Sequence, residues 1–296
     1  MLNLSFLLTT TLIWGFGFIA TKWTFQDFDG FWSHALRFLL AGFFSLPFLL
    51  WKKSFIKKDL LKKSYLASWW LFGALFFQTI GLFETTVAKS GFITTMYALF
   101  TPMFGMIFLK KKFHPSYWLL VFTSFMGVAL LCNLNFQEFN RGDFWTLLCA
   151  MAGAGHILYV EKVAPNLESA IEFNFLQSLF MGLNSLIVVY LIKGPTDISV
   201  LFDAQNLFKP SALTGLLYLS LLSSMVAFTL QIVSQKKMPS HIVSMIFLLE
   251  SPFAAFFGYQ FLGETLSSLN IIGCVLILVS VGLIPLAEHW KNRAVI

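Results

Sequence analysis

The feature that most constrains this chain is a series of long stretches without charged side chains. Nine stretches contain no Asp, Glu, Lys or Arg, and a tenth carries only Glu250. Most of them approach the roughly 20 apolar residues that an α-helix needs to cross a bilayer. The ten stretches are residues 1–21, 38–51, 64–83, 90–109, 113–137, 144–160, 173–192, 210–235, 238–263 and 265–287. The second stretch extends back to Phe31 if Arg37 lies within the membrane.

Composition places a chain of this kind in a membrane. Hydrophobic residues make up 57% of the sequence and charged residues 11%, whereas soluble domains carry about 25% charged residues. A water-soluble globule could not bury so much apolar surface, which excludes soluble enzymes, nucleic-acid-binding proteins and disordered chains. The alternating ten-residue segments of a β-barrel are absent from the sequence. We therefore predict an all-α integral membrane protein with ten transmembrane helices.

The Lys and Arg residues indicate the orientation of the ten spans. With a cytoplasmic N-terminus, fourteen of the 20 fall on the cytoplasmic side, including the run Lys110–Lys112. Those on the opposite side are Lys22, Lys89, Arg141, Lys193 and Lys209. Because basic loops stay in the cytoplasm, we expect both termini there, in a multi-pass protein of a bacterial inner membrane. The N-terminus lacks a basic start and a small-residue cleavage site, so we interpret it as a retained span.

The two halves of the sequence resemble each other weakly. The matching segments are 14–20 with 152–158, 100–102 with 250–252, 109–111 with 262–264, and 127–131 with 280–284. Each half holds five spans, an odd number, so the second half must enter the membrane from the opposite side. We predict two inverted five-helix repeats, residues 1–137 and 138–296, which is a common construction of secondary transporters.

Several short motifs carry a resemblance to a known family. They are Trp14–Gly15 in span 1, Arg37 in span 2, Pro102 in span 4, Glu250 and Pro252 in span 9, and Leu262–Gly263–Glu264 at its end. With ten spans and a duplicated half, the chain resembles the EamA-type ten-helix group of the drug/metabolite transporter superfamily. The resemblance implies a cavity between the halves, lined mainly by spans 1, 3, 4, 6, 8 and 9, and transport of small organic solutes such as amino acids. The first repeat departs from the pattern, with Leu109–Lys110–Lys111 where the second has Leu–Gly–Glu.

Two charged side chains within the spans have alternative interpretations. Glu250 is the only acid well inside an apolar stretch, where an unpaired charge is costly. It is either a cavity acid that couples protons or binds substrate, or a helix-packing acid that hydrogen-bonds across to span 6 or 8 beside Pro252. Arg37 either snorkels outward, pairs with Glu84 or contacts anionic groups of a substrate, and snorkelling or pairing is favoured.

Other polar and aromatic side chains within the spans are candidates for substrate binding. Polar groups are unfavourable against lipid, so they should point inward, toward a neighbouring helix or a polar solute. The substrate-binding candidates are Trp14, Phe18, Gln78, Tyr97, His156, Tyr159, Gln231 and Gln235. For His156, a hydrogen bond to a neighbouring carbonyl is an equal alternative. Pro102 and Pro252 occupy matching places in the two halves and are candidate hinges, because a proline removes a helical hydrogen bond.

The motifs favour transport over chemistry. The sequence has no nucleotide-binding loop or metal-ligand motif, so we expect no enzyme activity, cofactor, bound metal or nucleic-acid partner. We expect a secondary active transporter that moves amino acids or amino-acid-derived solutes by alternating access, with protons or a counter-substrate. One alternative is an exchanger or uptake carrier for a cofactor-like or nucleotide-linked metabolite such as S-adenosylmethionine. Another is an intramembrane enzyme or a lipid flippase. A monomer and a homodimer are both compatible with the sequence.

Overall fold

The computed structural model describes residues 2–51, 57–85, 87–131, 139–202, 207, 209–263 and 265–284. All regular secondary structure in this part of the chain is helical, and it contains no strands. The first half contains α1 (Leu2–Thr24), α2 (Gly30–Trp51), α3 (Lys58–Glu84), α4 (Val87–Thr95), α5 (Tyr97–Leu109) and α6 (Pro115–Leu131). The second half contains α7 (Arg141–Val163), α8 (Ala170–Lys193), α9 (Ala212–Leu217), a π-helix (Tyr218–Ala227), α10 (Phe228–Gln235), α11 (Ser240–Phe247), α12 (Glu250–Leu262) and α13 (Ser268–Gly282).

These elements form ten apolar spans, as predicted. Helices α4 and α5 make span 4, the segments from α9 to α10 make span 8, and α11 and α12 make span 9. Eight spans are long and apolar enough to cross a membrane, and the shorter apolar helices α6 and α13 complete the ten. The predicted all-α membrane fold is confirmed. The expected repeat boundary between residues 137 and 138 lies outside the described residues.

Spans 4 and 9 show the internal repeat in detail. Both are interrupted near the middle, at Met96 and at Leu248–Leu249, and the second half of each has 13 residues. Helix α5 begins at Tyr97 and α12 at Glu250, so the two helices are related by a shift of 153 residues. The same shift relates the first residues of α6 and α13. Two copies of one supersecondary unit therefore occupy equivalent places in the two halves.

The ends of α5 and α12 repeat the same geometry with different residues. Lys110 caps α5 in the left-handed region with a φ of 52°, and Gly263 caps α12 with a φ of 67°. The Lys110 N–H donates to the Gly105 carbonyl, and the Gly263 N–H donates to the Gly258 carbonyl. Glycine adopts this conformation at little cost, whereas a lysine is strained in it. The departure of the first repeat from Leu–Gly–Glu thus leaves the helix end itself unchanged.

The structure shows that Pro102 and Pro252 do not occupy matching places, so this prediction from the sequence is wrong. In the structural register the counterpart of Glu250 is Tyr97, so the two prolines are offset by three residues. The short similarity of FTP to ESP is misleading, because the interruption and the cap, not one tripeptide, define the register. Pro252 still contributes to the interruption of span 9. It has no N–H for the Leu248 carbonyl, which accepts from the Ser251 N–H at 3.2 Å instead.

Helix packing relates the two halves by a pseudo-twofold axis. Equivalent helices pack on each other across it, α2 on α8 and α6 on α13. Helix α3 packs on α7, and in the symmetric contact α1 packs on span 8. Helices α6 and α13 approach closely because Gly127 and Gly273 meet there. A Cβ built on Gly127 would lie 2.8 Å from the Gly273 carbonyl oxygen.

The outer surface of the bundle is apolar, as a lipid-facing surface must be. Large hydrophobic side chains on several helices are more than half exposed, among them Phe43, Phe108, Phe122, Ile187 and Leu191. Polar side chains are instead concentrated inside the bundle, where threonines, serines, glutamines and histidines are buried. This arrangement is the reverse of that in a soluble protein, so the polar side chains that could contact a solute lie in the interior.

Candidate functional site

A cavity lies between the two halves, in the middle of the bundle. Its volume is about 690 Å³ when the open mouth is included. Spans 1, 3, 4, 6, 8 and 9 contribute to its wall, as the sequence analysis expected, and span 2 contributes Arg37. Seven of the sequence candidates line it: Trp14, Phe18, Gln78, Tyr97, His156, Gln231 and Glu250. The geometry brings these residues together, while their role in binding substrate stays a prediction.

Glu250 and Tyr97 meet at the interruptions of spans 9 and 4. The Tyr97 hydroxyl donates a hydrogen bond of 3.2 Å to Glu250 Oε2. Each residue is the first of its helix, and the shift of 153 residues makes them symmetry equivalents. The two repeats therefore contribute one residue each to a single contact, an acid from one and a hydroxyl from the other. Glu250 is 6% exposed and borders the cavity. Its hydrogen bond goes to span 4, not to span 6 or 8 as the sequence suggested, because the interruptions of spans 4 and 9 meet. Its role in coupling protons or binding substrate stays a prediction.

Arg37 enters the cavity from α2, which contradicts the expectation that it snorkels or pairs with Glu84. The side chain is 5% exposed. Its Nε donates to Ser224 Oγ at 2.9 Å and its Nη2 donates to Ser223 Oγ at 2.8 Å. Both serines belong to the π-helix of span 8. The sequence spacing shows how deep Arg37 lies along the helix, but it does not show which face of α2 packs on the π-helix of span 8.

The π-helix borders the cavity through Ser223, and it is a structural feature that the sequence did not reveal. Its wider turns leave backbone carbonyls for side chains of other spans to bind. Trp14 Nε1 donates to the Ser223 carbonyl at 3.2 Å, and Asn174 Nδ2 donates to the Ser224 and Met225 carbonyls, each at 3.0 Å. Irregular helix turns of this kind occur often at functional sites. The segment YLSLLSSMVA has no proline, and its composition is that of an ordinary apolar helix.

His156 connects the cavity to this π-helix through two buried amides. His156 Nε2 lies 3.0 Å from Gln177 Oε1, and Gln177 Nε2 donates to Asn174 Oδ1 at 3.2 Å. The imidazole also packs edge-on against Phe228, with ring centroids 6.0 Å apart. The hydrogen-bond partner of His156 is therefore a side-chain amide, not the backbone carbonyl considered from the sequence.

Two of the sequence candidates do not line the cavity. The Tyr159 hydroxyl donates to the Lys63 carbonyl at 3.3 Å, and its ring packs among buried residues of spans 3, 6 and 7. Gln235 lies one turn beyond Gln231, accepts from Gln231 Nε2 at 2.8 Å and donates to the Ile157 carbonyl at 2.9 Å. Helical spacing places Gln235 on the face of Gln231, but the cavity ends before it.

Aromatic rings form one wall of the cavity. Trp14 contacts Phe228 and Phe247, with centroid distances of 4.9 Å in both cases. These rings come from spans 1, 8 and 9, so the wall is built from both halves. Phe18 also lines the cavity, where it packs with Leu82 and Ala254. The sequence identified Trp14 and Phe18 by their spacing, whereas Phe228 and Phe247 are two of 36 phenylalanines with no distinguishing pattern.

Polar networks join the spans at each end of the bundle. At the end where α5 and α7 finish, Lys111 Nζ lies 2.5 Å from Glu161 Oε2, which also accepts from Ser240 Oγ at 2.9 Å. This pairing explains why the first repeat tolerates a lysine where the second has Glu264. At the other end, Asp143 accepts from the Thr85 hydroxyl at 2.8 Å and lies 3.6 Å from Lys89 Nζ.

Ten apolar spans in two inverted halves, with a cavity between them that contains a few polar and charged side chains, define a polytopic membrane protein of the secondary-transporter class. The family model described as the EamA-like transporter family matches residues 1–133 and 140–286, one match for each half. The chain belongs to this family.

Three relatives match most of this chain, and two of them are named as transporters. Two proteins of Archaeoglobus fulgidus, each named "Uncharacterized transporter", are 28% and 25% identical to this chain over 93% and 95% of its length. The matches cover 83% and 96% of those proteins. A WAT1-related chloroplastic protein of Arabidopsis thaliana is 24% identical over 95% of this chain and 69% of that protein. A solved crystal structure superimposes with a TM-score of 0.76 at 16% identity, covering 98% of both chains, which shows the shared fold.

Proposed function

We propose that this protein is a secondary carrier that moves small zwitterionic solutes, amino acids or amino-acid-derived compounds, by alternating access. The observation that carries the proposal is the presence of one cationic and one acidic side chain, Arg37 and Glu250, on the wall of a single buried cavity. Charged side chains deep in a membrane protein are costly, and they usually mark the path of a substrate or an ion.

A zwitterion complements both charges at once. Arg37 uses two N–H groups on serine hydroxyls, and its remaining guanidinium N–H groups suit a carboxylate. Glu250 receives the Tyr97 hydroxyl on Oε2, and its carboxylate suits an ammonium group. A solute with both groups neutralises two buried charges without leaving either one unpaired, whereas a simple amine or acid would satisfy only one.

A cofactor-like solute such as S-adenosylmethionine is the second candidate. It has the same amino-acid head, and the ring wall of Trp14, Phe228 and Phe247 suits a flat aromatic group. An intramembrane enzyme or a flippase is less well supported, because no reacting pair is formed between Glu250 and His156. Their hydrogen bonds go to Tyr97 and Gln177 respectively. The named transporters among the relatives favour a carrier over both.

The orientation is part of the proposal. We place the end with Lys111 and Glu161 in the cytoplasm, because fourteen of the 20 Lys and Arg residues then lie on that side. The N-terminus of α1 lies at this same end, and the bundle spans an inner membrane.

The test is counterflow exchange with purified protein in liposomes. Vesicles loaded with each member of a panel of amino acids and S-adenosylmethionine should accumulate the labelled form of the same solute. For each solute that exchanges, its decarboxylated amine and its deaminated acid serve as competitors, and both should compete at least tenfold more weakly. Equal competition by the amine or the acid would refute zwitterion recognition, and no exchange across the panel would refute the substrate class.

A further inference from the structure

Gln231 lines the cavity and has a buried side-chain oxygen. The residue is 1% exposed and lines the cavity on the side of span 8. Its Oε1 is buried and has no hydrogen-bond partner among the described residues. Leaving a buried acceptor unsatisfied costs stability, so such an atom at a binding cavity suggests that a ligand completes it.

The orientation of the Gln231 amide is fixed by its neighbours. The Ile157 carbonyl can only accept, so the group of Gln235 that lies 2.9 Å from it must be the amide nitrogen. The Gln235 oxygen then accepts from Gln231 Nε2 at 2.8 Å. The remaining group of Gln231 is its oxygen. The Ile157 carbonyl therefore fixes the orientation of both amides, and the group of Gln231 without a partner is the acceptor Oε1.

A second series of hydrogen-bonded amides fixes the hydrogen bond of His156 in the same way. Asn174 Nδ2 donates to two carbonyls of the π-helix, so its oxygen must receive Gln177 Nε2. The Gln177 oxygen then accepts a hydrogen bond from the Nε2–H group of His156. In the neutral imidazole the other nitrogen, Nδ1, is an acceptor. His156 and Gln231 both line the cavity, and their rings and amides are held in place by Phe228 and Gln235.

We propose that Gln231 Oε1 and His156 Nδ1 form a hydrogen-bond-accepting subsite, which selects solutes whose side chain carries an N–H or O–H donor. This inference rests on the proposed function, in which Arg37 and Glu250 bind the zwitterionic head. The subsite then binds the side chain of the solute. Amide, hydroxyl and amine side chains are favoured over aliphatic ones of the same shape. Buried polar groups give strong discrimination against a solute that leaves them unpaired.

Pairs of amino acids with nearly the same shape test the subsite. L-asparagine and L-leucine form one pair, and L-threonine and L-valine form the other; one member of each has a donor and the other does not. In counterflow with wild-type protein, the donor member should exchange about tenfold better at limiting concentration. Equal exchange within both pairs overturns the subsite and leaves the proposed function intact. Failure of all four to exchange while other members of the panel do exchange overturns the subsite alone, whereas failure of the whole panel overturns the proposed function and the subsite with it.

Three variants connect the preference to the named atoms. Gln231→Met removes the acceptor and should bring the members of each pair within about twofold of each other. Gln235→Met leaves Gln231 in place but frees its amide to rotate, so it should also reduce the preference. This variant tests the subsite if Gln231→Met does not fold. Tyr159→Phe is the matched control, on the helix of His156 but outside the cavity, and should keep the wild-type preference. An unchanged preference in both glutamine variants overturns the proposal.

Discussion

Arg37 shows how much a single side chain depends on its surroundings. The guanidinium is held by Ser223 and Ser224 of the π-helix, so its position is set by two geometrically matched hydrogen bonds. A lysine has a point charge on a flexible stem and cannot reproduce this arrangement. We therefore expect Arg37 to act through the fixed geometry of its guanidinium N–H groups as well as through its charge.

Substitution of Arg37 should separate charge from geometry. Arg37→Gln removes a charged hydrogen-bonding partner and should weaken the apparent affinity for exchanged zwitterions about 10- to 100-fold. Arg37→Lys keeps the charge and should give an intermediate loss. Apparent affinities come from counterflow at graded solute concentrations, with size-exclusion profiles to verify folding. An affinity unchanged in Arg37→Gln would remove this residue from the site.

Glu250 is the residue at which protons and substrate would compete. A carboxylate that binds either a proton or an ammonium group makes transport depend on pH. Glu250→Gln cannot change its charge, so its flux should no longer respond to an imposed pH gradient, while some exchange of solute against solute persists. The measurement is uptake into liposomes with and without a pH gradient. A variant that retains the full wild-type response would show that Glu250 does not carry protons.

Among the elements, the paired helix ends of α5 and α12 allow a clean comparison. Gly263 adopts a φ of 67°, and a Cβ placed there would meet nothing within 4 Å. Gly263→Ala therefore adds only backbone strain and should destabilise the protein by about 1 kcal/mol. Lys110→Gly removes the corresponding strain at a φ of 52° and should stabilise it by up to about 1 kcal/mol. Thermal unfolding in detergent measures both, and changes of the same sign would contradict this account.

Elements differ in how far the sequence could predict them. The spans follow from the positions of charges, because lipid tolerates few of them, and so the ten helices and the inverted halves could be predicted. The interruptions of spans 4 and 9 were expected at prolines, yet Met96 lies six residues before Pro102. The π-helix could not be predicted, because the side chains of Trp14 and Asn174 that bind its carbonyls come from other spans.

The candidate site was predictable to a similar degree. Polar residues that would be unfavourable against lipid were correctly placed inside, and most of them border the cavity. Periodicity cannot show where a cavity ends along a helix, which is why Gln235 and Tyr159 fall outside it. It also cannot show which face of α2 meets span 8, and that contact decides the position of Arg37.

At the scale of the whole molecule, alternating access requires that the two ends open in turn. The contact of Lys111, Glu161 and Ser240 joins spans 4, 6 and 9 at one end. Burial alone favours the protonated form of a carboxyl, but here a lysine and a hydroxyl satisfy Glu161. Loss of this contact should favour the state in which that end is open.

Cys149, a free thiol on the cavity wall, reports such opening. With Cys132 and Cys274 replaced by alanine, Glu161→Gln should increase modification of Cys149 by a membrane-impermeant thiol reagent applied from the Lys111 side about fivefold. That factor corresponds to about 1 kcal/mol, as expected for a partly buried ion pair. Glu168→Gln is the control, since it breaks the exposed pair with Lys57 at the same end and should have no effect. Equal labelling of Glu161→Gln and the control would show that this contact does not keep the Lys111 end of the protein closed.

The π-helix makes the two halves unequal in one more respect. Span 8 has wide turns bound by Trp14, Asn174 and Arg37, whereas its counterpart α3 is a regular α-helix. If both repeats were identical, the inward and outward conformations would have equal free energies, and the empty carrier would visit each half of the time. The irregular span removes this symmetry, so for a carrier that works by alternating access, as we propose, we expect the unloaded protein to favour one of its two conformations.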